Sequence, residues 1–112
     1  MRSRAFYERA LAPLGYTTLM TLDQIAGFGV APKSDFWIDG RPADGPIQLV
    51  HVAFTASSRA VVKAFYEAAI AAGGKDNGPP GVRSHYHQDY YGAFVLDPDG
   101  HNIEAVCHES YL

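Results

Sequence analysis

Residues 5–8 read Ala5-Phe6-Tyr7-Glu8, and residues 64–67 read Ala64-Phe65-Tyr66-Glu67. The match continues through Ala10-Leu11-Ala12 against Ala69-Ile70-Ala71, and through Gly15 against Gly74, always at an offset of 59 residues. A repeat of this length marks a duplicated supersecondary unit, so it is read before any single element. Both copies have helical character. Phe65, Ala69 and Ala72 follow spacings of four and three, one face of a 3.6-residue period. Ser57 or Ser58 can cap the second helix by accepting a free backbone N–H. Gly73-Gly74 can end it. The first helix starts almost at Met1 and stops around Pro13 and Gly15.

The segments between the helices have strand chemistry. Expected strands are 17–22, 25–31 and 35–39, the last closed by Gly40-Arg41-Pro42. A long strand over 47–56 precedes the second helix, and strands over 82–87, 90–96 and 101–108 follow it. Residues 75–81 are turn formers, and Asp97-Pro98-Asp99-Gly100 has the composition of a tight turn. The second half therefore reads β-α-β-β-β and the first half α-β-β-β. Subtracting the offset from 47–56 gives positions before Met1, so the first unit lacks its leading strand. The Gly27-Phe28-Gly29 stretch inside a strand indicates a bulge or a close approach of a neighbour.

Strand alternation then sorts the side chains. On 47–56, Val50, Val52 and Phe54 share the face expected to lie under helices, and Leu49, His51, Ala53 and Thr55 the other. On the last strand Ile103, Ala105 and Cys107 form the apolar set. Asn102, Glu104, Val106 and His108 face away. His51 and Glu104 thus interrupt the same non-helical face, and they converge if their strands are neighbours. Imidazole nitrogen and carboxylate oxygen suit Zn, Fe(II), Mn or Ni. The competing reading is a hydrogen-bonded pair lining a pocket. A second cluster is His85-Tyr86-His87 with Tyr90-Tyr91, read as two histidines on one strand face beside aromatics that can stack on a planar ligand. Trp37 is expected in the core, with a pocket wall as the alternative. Cys107 is expected as an inert buried thiol.

Composition bounds the function. The chain has 112 residues, 47% of them hydrophobic, and a formal charge of −3. That is one domain's worth of length. A slightly acidic balance argues against a nucleic-acid surface. No stretch of 18 apolar residues exists to span a membrane, and the N-terminus has no signal-peptide pattern. A single cysteine excludes an internal disulfide and a CxxC metal site. The expected location is the cytoplasm. There is no Ser-His-Asp pattern, no phosphate-binding GxxxxGK[ST] loop and no dinucleotide GxGxxG.

The paired units, with "SRAFYERALAPLGY" from Ser3 and "YYGAFVLDPDGHNIEAVCH" from Tyr90, resemble the vicinal oxygen chelate superfamily of glyoxalase I, bleomycin-resistance proteins and type I extradiol dioxygenases. The resemblance covers essentially the whole chain. It implies an α+β fold of paired βαβββ modules forming a cupped mixed sheet with helices outside, the first module (1–45) incomplete and the second 46–112. It further implies a divalent metal (Zn, Fe, Ni or Mn) held by residues from the first and last strand of each module. Carried over, those are His51 and Glu104, with Glu104 doubling as catalytic proton acceptor. The first module offers Phe36, Trp37 or Ile38 at its matching position, none a usual ligand. His85, His87, Tyr90, Tyr91 and Trp37 are the expected substrate contacts. The expected activity is of glyoxalase or dioxygenase type on a small oxygenated molecule, the metal acting as a Lewis acid. Two alternatives stand beside it: a metal-free protein that sequesters a planar drug or metabolite, and an inactive truncated member. The gap left by the missing strand leaves three routes open: a start upstream, a strand from a second subunit, or a rearranged edge. A homodimer with strand or module exchange is the expected assembly.

Overall fold

Both copies of Ala-Phe-Tyr-Glu are helical in the computed structural model, which describes residues 2–40, 45 and 48–109. Helix α1 is Arg2–Ala10, followed by a single 3-10 turn, Ala12–Leu14. Three strands follow, β1 (Thr17–Leu22), β2 (Ile25–Val30) and β3 (Lys33–Asp39). Then come β4 (His51–Thr55), helix α2 (Arg59–Ala71), the two-residue strands β5 (Lys75–Asp76) and β6 (Gly81–Val82), β7 (Tyr91–Leu96) and β8 (Asn102–Cys107). The Arg41-Pro42 turn and the Ile47 end of the expected 47–56 strand lie outside the described residues.

Local chemistry accounts for the helix ends. Ser58 adopts an extended conformation and its hydroxyl accepts the Val61 N–H at 3.1 Å, a side-chain N-cap. Past the far end, Gly73 takes φ +102°, a region that L side chains rarely enter. At Gly74 an added Cβ would lie 2.4 Å from the Val95 side chain, so the exit of α2 packs directly on β7.

Among the described residues the strands pair into two sheets, and the fold is α+β as expected. The first is antiparallel, in the order β1-β2-β3. The second has the order β4-β8-β7-β5, with β6 also on β7. Within it β4 and β8 run parallel, with Ala53 opposite Glu104, and β7 and β8 antiparallel. One apolar cluster joins the two halves. Phe6, Tyr7, Ala10 and Phe28 come from the first. Phe54, Val62, Phe65, Ala69, Ile103 and Cys107 come from the second. Fully burying a Phe such as Phe65 is worth about 1.5–3 kcal/mol. Tyr7, Phe36 and Phe54 form a run of edge-on rings that crosses from α1 to β4.

Several expectations need correction. The 82–87 strand is only Gly81–Val82, because β7 begins at Tyr91 and offers nothing further to pair with. Instead the chain makes two successive turns, with Tyr86 N–H on Arg83 C=O at 3.0 Å and Tyr90 N–H on His87 C=O at 3.2 Å. His85 and His87 therefore share no strand face. The 75–81 loop contains β5 and the start of β6, paired to β7. The Gly27–Gly29 reading holds on both counts: the register slips between Phe28 and Gly29, and the Trp37 ring lies where a Gly27 Cβ would be. Trp37 itself is not core but 48% exposed. Val50, expected under a helix, is also exposed; it precedes β4.

Candidate active site

Glu104 is the unusual residue of β8. It is 1% exposed in a strand otherwise made of Ile103, Ala105, Val106 and Cys107. A buried carboxyl group is costly unless its oxygens are bonded. Here both are. His51 Nε2 lies 2.7 Å from Oε1, and the Tyr90 hydroxyl donates to Oε2 in a short hydrogen bond. Parallel pairing explains the first contact. His51 sits two residues before Ala53, the residue opposite Glu104, so the two side chains are diagonal neighbours on one sheet face. The imidazole is about half exposed, while the carboxyl is sealed. Solvent thus reaches the pair only from the histidine side.

Tyr90 stands at the mouth of β7. Burial raises its phenol well above the ordinary tyrosine value, and the hydrogen bond and charge of Glu104 raise it further. It remains a hydroxyl donor across the neutral range. The Tyr86, His108 and His87 rings surround it at centroid distances of 4.8, 5.4 and 5.5 Å. His87 Nδ1 accepts the Asp89 backbone N–H at 3.2 Å. Its proton is therefore on Nε2, which donates to His108 Nδ1 at 2.6 Å. This bond ties the 83–90 turn segment to the end of β8. Phe94 flanks His51 at 6.0 Å between ring centroids.

The other residues singled out in the sequence lie elsewhere. Tyr91 points the opposite way from Tyr90 and is buried in the core, its ring under the Arg59 guanidinium. That position removes it from the His51–Glu104 face. His85 packs against Tyr86 at a tilt of 44°, 4.2 Å between centroids, in the exposed turn. Trp37 lines a separate cleft of about 900 Å³ between β3 and β4, together with Phe36, Val50, Val52 and Tyr7.

The same cleft is lined by a group that sequence reasoning missed. Asp97, Asp99 and His101 bring one ligand-type atom each within 4.8 Å of one another. The Asp-x-Asp-x-His spacing is its only sequence signal, and it was hidden inside turn chemistry. The hydrogen bonds show what these atoms already do. Asp97 Oδ1 accepts the Asp99 and His101 N–H groups, both at 2.9 Å, and Oδ2 accepts the Tyr7 hydroxyl. His101 Nδ1 accepts the Val50 N–H at 3.1 Å, and Asp99 accepts the Ser3 hydroxyl. The group closes the turn and pins α1 and the start of β4 to it.

Fold and site together define a class. The sequence matches the family model for the Glyoxalase/Bleomycin resistance protein/Dioxygenase superfamily over residues 2–105, and the chain belongs to that superfamily. Among solved structures it is similar to a glyoxalase/bleomycin resistance protein from Albidiferax ferrireducens, with 30% identity and a TM-score of 0.77, covering 96% of this chain and 88% of that one. A glyoxalase I variant from Zea mays is 26% identical with a TM-score of 0.65, covering 98% of this chain and 43% of the longer plant chain. A glyoxalase/bleomycin resistance protein/dioxygenase family enzyme from Burkholderia phytofirmans shares the fold at 19% identity and a TM-score of 0.68, over 96% and 89% of the two chains. No curated protein matches the chain. Members of the superfamily bind small molecules and typically a divalent metal. No helix among the described residues is long and apolar enough to cross a membrane.

Proposed function

We propose that the protein is a metal-dependent glyoxalase- or dioxygenase-type enzyme acting on a small oxygenated molecule, with His51 and Glu104 as metal ligands. The observation that carries this is the pair itself: Nε2 of a half-exposed imidazole 2.7 Å from an oxygen of a carboxyl group sealed from water. The donors fit the expected ion, since imidazole and carboxylate together suit Zn, Fe(II), Ni and Mn. Such a metal supplies Lewis-acid polarisation of adjacent substrate oxygens. The chain's own residues do the rest. Phe94 and the Tyr86–Tyr90 aromatics form an apolar surround that favours a planar or compact substrate over bulk water. Glu104 is the group positioned to accept a substrate proton.

Two protein ligands are few for a catalytic site. A homodimer with strand or module exchange is the proposed source of the remainder, since β3 and β4 each end a sheet beside the cleft. The test is calorimetric titration with Zn, Mn, Ni and Fe(II), paired with melting curves. Wild-type protein takes up one of these ions and melts at a higher temperature, because a ligand of the native state stabilises it. His51→Ala loses both effects. Absence of uptake of all four ions, with unchanged melting, overturns the metal reading.

The second reading is a metal-free binding protein for a planar ligand, favoured by the four rings of Tyr86, His87, Tyr90 and His108 packed together at the same face. It is the outcome if planar aromatic compounds bind metal-free protein and His51→Ala leaves that binding intact.

A further inference from the structure

Glu104 has two oxygens, and the structure gives them different partners. Oε1 faces the half-exposed His51, while Oε2 is taken by the Tyr90 phenol. Gly92 is part of the same arrangement: a Cβ there would lie 3.2 Å from Tyr90 Cε1 and 3.4 Å from Glu104 Oε2. The ring contact would be tight by a few tenths of an ångström and the carboxyl contact ordinary, so Gly92 eases the approach of Tyr90 to Glu104. The turn segment that carries Tyr90 is fixed from behind by the His87–His108 bond and by Arg83 N–H on the Tyr90 carbonyl at 2.7 Å. Tyr90 is therefore a rigidly mounted donor aimed at one oxygen, which is a different assignment from a substrate contact.

We propose that Tyr90 is a positioning residue that commits Glu104 Oε2 and so leaves Oε1 as the single carboxyl oxygen available beside His51. The His87–His108 pair acts as its mount. The ligand half of this inference rests on the metal reading above; the hold of Tyr90 on Glu104 does not. A carboxyl group held at one oxygen binds an ion through the other, in one orientation. Released, it rotates, and ordering it again on binding weakens affinity. Loss of such an outer partner typically lowers metal affinity about 10–100-fold.

The experiment uses Co(II) as probe, titrated into wild-type, Tyr90→Phe and His108→Ala protein, together with carbon-13 spectra of the Glu104 carboxyl in metal-free protein. Tyr90→Phe is expected to weaken Co(II) binding about 10–100-fold, to change the visible bands of the bound ion, and to move the Glu104 carboxyl resonance. His108→Ala keeps the hydroxyl but removes the mount of the Tyr90 segment, and moves the same readouts in the same direction; it also serves if Tyr90→Phe fails to fold. Tyr66→Phe, which removes a phenol bonded instead to Asp76, leaves them unchanged. Unchanged affinity and an unchanged Glu104 resonance in Tyr90→Phe overturn the proposal. If wild-type protein takes up no Co(II), the metal reading falls, and the metal-free resonance alone decides whether Tyr90 holds Glu104.

Discussion

Two buried carboxyl groups set the terms at the level of single residues. Asp97, 6% exposed, depends on the Tyr7 hydroxyl for one of its oxygens. Tyr7→Phe leaves that oxygen without a partner, and the expected loss is about 1–3 kcal/mol of unfolding free energy, read by urea denaturation. The same residue gives the protein an alkaline limit. Burial pushes the Tyr7 phenol far above its ordinary value of 10.0, with the hydrogen bond and charge of Asp97 adding to it. The unfolded chain releases this proton near pH 10 while the folded chain keeps it. Stability is then complete below that pH and declines as pH rises above it. Denaturation midpoints of Tyr7→Phe fall less steeply over that range than those of wild type. His51 and Glu104 could be paired from the sequence because both contacts follow strand alternation. Tyr90 could be noticed but not assigned, since its hydroxyl reaches Glu104 from a turn segment, where no period says which way a side chain points. Tyr91 was misplaced for the related reason that it is the first residue of β7 and turns inward.

At the level of elements, the site straddles a boundary in pairing. Strand β8 is bonded on both sides, to β4 and to β7, whereas β4 is bonded, among the described residues, only to β8. His51 thus rides on the outer strand and Glu104 on the inner one. Local opening is expected to free β4 before β8, so amide hydrogens of 52–55 exchange faster than those of 103–106 in native-state hydrogen exchange. Both helices and the longer strands were legible, because their caps, glycines and apolar spacing are local. The 82–87 strand was not. Its residues have strand-like composition, but a strand exists only where a partner edge continues, and β7 stops at Tyr91. The His-Tyr-His sequence then closes turns through its own polar groups instead.

At the scale of the molecule, the chain runs α1, β1, β2, β3 and then β4, α2, the β5–β6 pair, β7 and β8. The leading strand of the second unit, β4, pairs with β8. In the other sheet the outer edge of β3 is open among the described residues. Open edges beside apolar side chains favour pairing with another chain. If the proposed exchange supplies that pairing, Val50→Lys shifts the protein toward monomer on a sizing column at equal concentration; elution that does not change with the substitution counts against it. The strands beside the cleft could be read from the sequence. That the two sheets stay apart around a cleft of about 900 Å³ could not, because it depends on how one shared core sets their spacing.

Trp37, the chain's single tryptophan, borders that cleft with nearly half of its surface in water. Its indole is consequently a built-in optical gauge. A peptide strand, a second subunit or a small molecule entering there strips water from the ring and shifts its emission to shorter wavelength, so occupancy can be followed in unlabelled protein at the dilutions where assembly begins.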